Sequence, residues 1–261
     1  MLKKILSLLM LVMLVCTGCG KTDDEVLTSG LSEINERGKV IVGVKTDAYP
    51  FGYIDEKGNF AGYDVALGKL IAKGLLGDEN KISFIPVTAS DRMMKLYSGD
   101  VDMLIATMSV TPKRQEILDF SNSYYTAGQA LLVKKGSPIK TLRSLSNKRV
   151  IIVYGSTAEN SLRAAVPNVG IIGYKTYPAA YQALKAGKAD AIISDDSILM
   201  GFSIKDDNVK LLSKRYSKEP YAVAFRKGEE SKELIKAVNK IIETETRNGN
   251  LRRIQKEMGI R

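Results

Sequence analysis

Short apolar runs alternate with longer amphipathic segments along most of the chain beyond residue 30. A short apolar run between polar residues is typical of a buried strand, whereas apolar positions three and four residues apart predict a helix. Such alternation predicts an α/β fold with largely parallel strands. The predicted strands are 39–45, 81–87, 102–106, 129–134, 149–154, 170–175, 190–194 and 222–226, and the predicted helices are 63–76, 90–98, 177–186 and 195–202.

Two helix-to-strand junctions share one spacing of leucine, glycine and aspartate. The first, LYSGDVD, spans 96–102, and the second, LKAGKAD, spans 184–190. Glycine ends a helix at such a position because it adopts the left-handed conformation at little cost. Thr107 and Asp195 follow the two strands at equivalent places. Open α/β sheets bind ligands at that edge, so we expect a hydroxyl group and a carboxylate to face each other there.

The segment 102–125 combines a short strand, a turn rich in hydroxyl groups and a helix start. The Thr-Pro pair at 111–112 predicts the helix N-terminus. Arg114 then lies in the first turn, where a cation opposes the helix dipole. With Thr107, Ser109 and free backbone N–H groups, its guanidinium suits a small carboxylate. An ordinary strand–turn–helix with a solvated arginine is the alternative interpretation.

A second helix start, GSTAE, follows the strand at 149–154. Ser156 and Glu159 have the spacing of a capping box, which is the structural interpretation of this segment. A helix N-terminus also presents N–H groups to anions, and Gly155 would allow a close approach.

The first residues have the features of an export signal. Lys3 and Lys4 precede an apolar run, which ends at Cys16-Thr17-Gly18-Cys19. The run is too short to span a membrane, which takes roughly 20 residues. Thr-Gly-Cys resembles a bacterial lipobox, although Cys16 stands where leucine is usual. We therefore predict a signal peptide at 1–18, a lipid on Cys19 and a tether at 19–30 that anchors the chain to a membrane.

Composition excludes several kinds of chemistry. The chain has no histidine, which removes Ser-His and Cys-His catalysis and imidazole metal sites, and no cofactor is expected. Both cysteines precede residue 20, so the mature fold is predicted to lack a disulfide. Removing Lys3 and Lys4 lowers the formal charge by two, from +10 to +8. The lysines are scattered, so this charge fits a solvated surface beside an anionic cell envelope and not nucleic-acid binding.

Several motifs together resemble one family, the extracellular solute-binding proteins of family 3. These motifs are VGVKTD, PFGY, G-x-F-x-G-Y-D-V, DMLIATMSVTPKRQEILDFSNSYY and GSTAE, and the resemblance covers nearly all of 38–259. Within this family, the chain most resembles the aspartate/glutamate-binding branch of the polar amino-acid ABC transporter lipoproteins. The resemblance implies a two-lobed, type II periplasmic-binding-protein-like α/β fold with two hinge crossovers. Lobe 1 would comprise 31–133 plus 222–261, and lobe 2 would comprise 134–221.

The resemblance also implies roles for individual residues. Arg114 would pair with the α-carboxylate of an amino acid, helped by Thr107, Ser109 and Thr157. Asp195 would accept from the α-ammonium, although it could instead cap the following helix, and Asp196 could compete for either role. The aromatic walls would be Phe51 and Tyr63, which equally fit a plain core.

Lys45 and Arg92 bear on the ligand side chain. Lys45 ends the first strand, an unusual place for a charge unless it meets solvent or an anion. Arg92 lies early in a helix, with a salt bridge to Asp91 or a surface position as the alternative. Tyr177 would add a hydroxyl group or cap its helix. Two cations favour aspartate or glutamate over glutamine, because an unpaired buried cation costs several kcal/mol.

The predicted function is a monomeric, lipid-anchored receptor on the extracytoplasmic face of the cell membrane, with no enzymatic activity. It would bind a free acidic amino acid in the cleft and deliver it to ABC permease subunits. A receptor for glutamine or another polar amino acid is the first alternative. A dehydratase-type enzyme would need Asp195, Asp196 or Glu159 as acid or base. A surface adhesin or sensing module is a third possibility.

Overall fold

The computed structural model describes residues 30–260, which form two α/β lobes. The predicted signal peptide and Cys19 lie outside the described residues. The chain passes between the lobes twice, and each passage is called a crossing. The elements before the first crossing are α1 (Gly30–Arg37), β1 (Val40–Lys45), β2 (Asp47–Ala48), β3 (Gly52–Ile54), β4 (Phe60–Ala61), α2 (Tyr63–Leu76), β5 (Ile82–Val87), α3 (Arg92–Tyr97), β6 (Met103–Leu104), α4 (Pro112–Gln115) and β7 (Leu118–Ala127).

The chain then builds the second lobe and returns to the first. The second lobe contains β8 (Gln129–Lys134), a 3-10 helix (Leu142–Leu145), β9 (Arg149–Val153), α5 (Ala158–Ala165), β10 (Gly170–Tyr174), α6 (Tyr177–Lys185), β11 (Ala191–Asp195), α7 (Asp196–Lys205) and β12 (Val209–Leu211). The returning segment is β13 (Glu219–Arg226), α8 (Glu229–Arg247) and α9 (Asn250–Glu257).

Each lobe is built on one five-stranded sheet. The strand order is β5-β1-β6-β13-β7 in lobe 1 and β10-β9-β11-β8-β12 in lobe 2, and a small sheet of β2, β3 and β4 lies beside the first. Three neighbouring strands are parallel in each main sheet, as the alternation predicted. The strands next to a crossing, β7, β8 and β13, pair antiparallel because they enter a sheet directly and not through a helical crossover.

The lobe boundaries differ from the expected ones. Gln129–Lys134 pairs with β11 in the second sheet, so the first crossing lies at Gly128 and not after residue 133. Residues 219–221 pair with β7 in the first sheet, so the second crossing ends before residue 222. The two crossings touch: a Cβ at Gly128 would lie 2.5 Å from the Ser217 carbonyl oxygen, a separation that only glycine permits.

The repeated junction has the same structure in both lobes. Gly99 and Gly187 follow helices α3 and α6 with φ of 79° and 74°, as predicted. Asp102 accepts a hydrogen bond from the N–H of Ile41 at 2.7 Å, and Asp190 accepts one from the N–H of Arg149 at 2.8 Å. Each aspartate therefore fixes the start of the neighbouring parallel strand.

Candidate ligand-binding site

The candidate site lies where the carboxyl ends of the central strands of both lobes meet. Lys45 ends β1, Thr107 follows β6 and Asp195 ends β11. Gly155 follows β9 with φ of 77°, and a Cβ there would lie 2.2 Å from the Ala89 carbonyl oxygen of the other lobe. Gly155 therefore allows a close approach, as expected, but its neighbour in the structure is the opposite lobe.

Arg114 extends from lobe 1 to lobe 2. Thr111 caps α4 as predicted, with its hydroxyl group accepting from the N–H of Arg114 at 3.2 Å. The guanidinium donates to the Ser109 carbonyl at 2.8 Å and to the Gly155 carbonyl at 3.0 Å. Burial, and then the charge of Arg92, lower its pKa to about 10. Arg114 is therefore a cation held between the lobes and not a solvated surface charge.

Arg92, the first residue of α3, is buried in the structure and only 3% exposed. It donates to the carbonyl oxygens of Ala106 at 2.5 Å and Gly155 at 3.4 Å, and its Nε has no hydrogen-bond partner among residues 30–260. The alternative salt bridge to Asp91 is wrong, because Asp91 accepts from the N–H of Thr88 at 2.7 Å. Burial lowers the pKa of Arg92. Its charge is therefore held mainly by backbone carbonyls.

Thr107 is held in an unusual conformation by a residue that the sequence analysis missed. Its φ is 47°, and its N–H donates to Asp64 Oδ2 at 2.9 Å. Asp64 is fully buried, also accepts from the Tyr124 hydroxyl at 2.9 Å, and has its pKa raised to about 6 by burial. The motif G-x-F-x-G-Y-D-V contains Asp64 and was the available signal. Ser109, 2% exposed, forms a β-bridge with Tyr221.

The capping box predicted at the GSTAE segment is wrong. Helix α5 begins at Ala158, with Thr157 at the N-cap position. Glu159 pairs with Arg163 one turn later because both lie on the exposed face of the helix. The hydroxyl group of Thr157 accepts from Gln129 Nε2 at 3.0 Å, which joins α5 to the first strand after the hinge.

Asp195 is the central carboxylate of lobe 2. It is 5% exposed and accepts from the Tyr221 hydroxyl at 2.5 Å and from Gln129 Nε2. Burial, and then the charge of Glu219, raise its pKa to about 7. Its side chain does not cap α7, so the capping alternative is wrong. Asp196 binds the hinge instead, accepting from the Gly128 N–H at 3.0 Å.

Lys45 has an ion-pair partner within lobe 1. It is 1% exposed, and its Nζ lies 3.3 Å from Asp47 Oδ1 and 4.0 Å from the centroid of the Tyr177 ring in lobe 2. Burial lowers its pKa, against the opposing effect of Asp47. The Tyr177 hydroxyl bonds to Ser194 Oγ at 2.9 Å, while Thr176, and not Tyr177, caps α6.

Phe51 and Tyr63 are both fully buried in an aromatic cluster of lobe 1. The Phe51 ring packs edge-on against Tyr63 at 5.7 Å and against Tyr221 at 5.7 Å between centroids. The Tyr63 hydroxyl accepts from Gln255 at 2.8 Å, which ties it to α9. The rings therefore pack in the core, and Phe51 also contacts the tyrosine that bonds to Asp195.

A cavity of about 520 Å³ opens beside Arg114 between the lobes. It is lined by Val110, Thr111, Pro112, Lys113, Arg114, Ser156, Thr157, Asn160, Ser161, Lys218 and Glu219. Of the four residues predicted to bind a carboxylate, Arg114 of lobe 1 and Thr157 of lobe 2 line this cavity, whereas Thr107 and Ser109 are not among its lining residues.

The two α/β lobes, their two crossings and a polar site between facing strand ends define a two-lobed solute-binding protein. The model of the bacterial extracellular solute-binding proteins, family 3, matches residues 40–259, and the chain belongs to that family. No helix in the part of the chain that the structure describes is both long and apolar enough to span a membrane.

Relatives with several ligands match this chain. The ABC transporter glutamine-binding protein GlnH of Bacillus subtilis (strain 168) is 36% identical, over 97% of this chain and 94% of its own. A glutamine-binding protein of Geobacillus stearothermophilus is 40% identical over 80% and 81%. A glutamate/aspartate import solute-binding protein of Escherichia coli (strain K12) is 29% identical over 83% and 76%.

Solved structures agree with the fold. The cysteine-binding protein of Campylobacter jejuni has a TM-score of 0.84 and 33% identity, covering 88% of this chain and 92% of its own. The ancestral amino acid-binding protein AncCDT-1, a precursor of cyclohexadienyl dehydratase, has a TM-score of 0.80 and 31% identity, covering 88% and 99%.

Proposed function

We propose that this protein is the amino-acid receptor of an ABC importer, and that it binds L-glutamine between its lobes. The observation that carries the proposal is that Arg114 of lobe 1 reaches the Gly155 carbonyl of lobe 2 at 3.0 Å, and that its charge interacts with that of Asp195 in lobe 2. Arg114 would donate to the ligand α-carboxylate, with Thr107, Ser109 and Thr157 around it. Asp195 would accept from the α-ammonium. Because the two residues belong to different lobes, a zwitterion that binds both favours the closed form.

The charges around the site favour a neutral ligand side chain over an acidic one. The expectation of an acidic ligand rested on Lys45 and Arg92 being buried cations in need of an anion. Lys45 already has Asp47 at 3.3 Å, and backbone carbonyls hold Arg92. Electrostatic interactions link the three cations of this region to four acidic residues: the cations are Lys45, Arg92 and Arg114, and the acidic residues are Asp47, Asp64, Asp195 and Glu219.

Relatives support the same choice, because two that match most of this chain bear glutamine in their names. An enzymatic role has no support from Glu159, which pairs with Arg163 at the surface. We further propose that a lipid on Cys19 anchors the receptor, as a monomer, to the outer face of the cell membrane. There it would deliver glutamine to the permease subunits.

A thermal-shift screen of the purified chain without its signal peptide against the standard amino acids tests the proposal. A ligand that binds only the folded state raises the unfolding temperature with its concentration over its Kd. We expect the largest shift from L-glutamine, and calorimetry should then give a lower Kd for glutamine than for glutamate. A lower Kd for glutamate or aspartate would contradict the glutamine assignment. The absence of any shift with amino acids would contradict the proposed function altogether.

A further inference from the structure

The ion pair between Lys45 and Asp47 connects the two lobes. Asp47 lies in the small sheet beside lobe 1 and is 12% exposed. Its Oδ1 atom faces the Lys45 ammonium, and its Oδ2 atom accepts from the N–H of Tyr177 at 3.1 Å. Tyr177 is the first residue of α6 in lobe 2, where a helix N-terminus attracts a carboxylate. Asp47 therefore holds Lys45 and meets the opposite lobe with one side chain.

The Oδ1 atom of Asp47 still has capacity to accept a hydrogen bond. It is buried, and it makes no well-formed hydrogen bond within residues 30–260. The 3.3 Å separation from Lys45 is longer than a strong charge-assisted hydrogen bond, which is about 2.8 Å. A donor placed at this point could therefore bind Oδ1, whereas a second carboxylate would meet an oxygen of the same charge.

The other charges near Lys45 do not change this balance. Arg92 and Asp195 both act on Lys45, with opposite signs, and Asp47 is its closest carboxylate. The Tyr177 ring covers the ammonium from lobe 2, and the hydroxyl group of that ring is occupied by Ser194. The Lys45–Asp47 pair at the carboxyl end of β1 thus offers one donor, the ammonium, and one acceptor, Asp47 Oδ1.

We propose that Asp47 is a specificity-determining residue, which neutralises Lys45 so that this end of the cleft accepts a side-chain amide and disfavours a carboxylate. The inference rests on the proposed function and deepens it. An amide can accept from Lys45 through its oxygen and donate to Asp47 through its NH₂ group. A carboxylate can only accept, and it would be repelled by Asp47. Discrimination of this kind depends on the repulsive element as much as on the attractive one.

Replacing Asp47 by asparagine tests the inference. The variant Asp47→Asn removes the negative charge but keeps an oxygen for the Tyr177 N–H. We expect calorimetry to show a fall of about tenfold or more in the ratio of the glutamate Kd to the glutamine Kd. Asp55→Asn, in the turn between β3 and β4, makes the same change in net charge away from the cleft and should leave the ratio unchanged. An unchanged ratio in Asp47→Asn would overturn the inference.

Lys45→Met provides a second test that does not depend on the folding of the first variant. Without the lysine, Asp47 stays unneutralised, so the ratio of the glutamate Kd to the glutamine Kd should rise. A fall or no change in that ratio would contradict the inference. The wild-type titration separates this outcome from failure of the proposed function. If the wild-type chain prefers glutamine but the variants leave the ratio of the glutamate Kd to the glutamine Kd unchanged, only the role of Asp47 is refuted.

Discussion

The two lobes reach the cleft through the same junction but present different groups there. In each lobe a left-handed glycine ends a helix, and an aspartate, Asp102 or Asp190, fixes the neighbouring strand. Lobe 1 then presents Thr107, whose N–H is already bound by Asp64, whereas lobe 2 presents the carboxylate of Asp195 itself. The junction thus supplies a common geometry, and the residue after the strand supplies the chemistry.

The carboxylates of the two lobes also have different tasks. Asp64 is fully buried, and its two oxygens are bound to Thr107 and Tyr124 within lobe 1, so it stabilises a turn. Asp195 is bound by Gln129 and Tyr221, the residues that follow the first and second crossings. Lobe 1 therefore uses its buried carboxylate to hold a turn and offers the cation Arg114 from helix α4, whereas lobe 2 offers an anion that contacts both strands of the hinge.

The largest effect should come from removing the cation of lobe 1. Arg114→Ala should raise the Kd for glutamine by about 100-fold or more, because truncating a hydrogen-bonded charge that becomes buried on binding costs roughly 2–5 kcal/mol. Arg252→Ala, which removes an exposed arginine on α9 away from the cleft, is the matched control and should bind normally. Calorimetry measures both. Near-normal binding in Arg114→Ala would contradict the proposal that Arg114 of lobe 1 binds the α-carboxylate.

A smaller, pH-dependent effect should come from lobe 2. The wild-type affinity for glutamine should fall as the pH drops below about 7, because protonated Asp195 no longer attracts an ammonium group. The hydrogen bond from Tyr221 lowers the pKa of Asp195, so Tyr221→Phe should move this loss to higher pH. At neutral pH the Kd should rise by about 3- to 10-fold. Tyr125→Phe, in the same aromatic cluster, should leave the pH profile unchanged.

Asp195 should affect the stability of the ligand-free protein in the opposite direction: affinity should fall at lower pH, but the contribution of Asp195 to stability should rise. The pKa of Asp195 in the folded state is about 7, above its ordinary value of 3.8, so the folded state binds this proton more tightly than the unfolded state. Its contribution to the free energy of unfolding should therefore increase as the pH falls from 7 toward 4.

A Tyr221→Phe variant whose affinity follows the wild-type pH profile would contradict the role of Tyr221.

The smallest effect should come from the two aspartates of the repeated junction, one in each lobe. Asp102→Asn and Asp190→Asn each weaken a carboxylate bond to a backbone N–H, and each should lower the free energy of unfolding by about 1 kcal/mol. Asp102 also pairs with Arg37, so its loss should be slightly larger. Urea unfolding measures the stability, and the glutamine Kd should stay within about twofold. A large loss of affinity in either variant would show that the junction does more than hold a strand.

Local signals in the sequence predicted much of this structure. The Thr-Pro helix start, the glycine stops and the parallel strands follow from residue preferences that act over a few positions. The equivalence of Thr107 and Asp195 also follows, because it depends only on spacing along the chain. The predicted strand 102–106 shortens to Met103–Leu104, since the backbone turns at Thr107.

The remaining features depend on contacts between distant residues. Gln129 and Tyr221 reach Asp195 only after both crossings have formed, and β8 looks like any apolar strand in the sequence. Asp47 was not recognised as the partner of Lys45 because a two-residue separation does not fix where two side chains point. That pair is one basis for proposing a neutral ligand in place of the acidic one expected from Lys45.

A double-mutant cycle between protein and ligand tests most directly the claim that the two lobes hold opposite ends of one amino acid. Calorimetry would compare wild-type and Asp195→Asn protein, each with glutamine and with its analogue lacking the α-amino group. If Asp195 binds the ammonium, removing both partners should cost far less than the sum of the single changes, with a coupling of about 1–3 kcal/mol. Additive costs, with a coupling near zero, would contradict the two-lobe account.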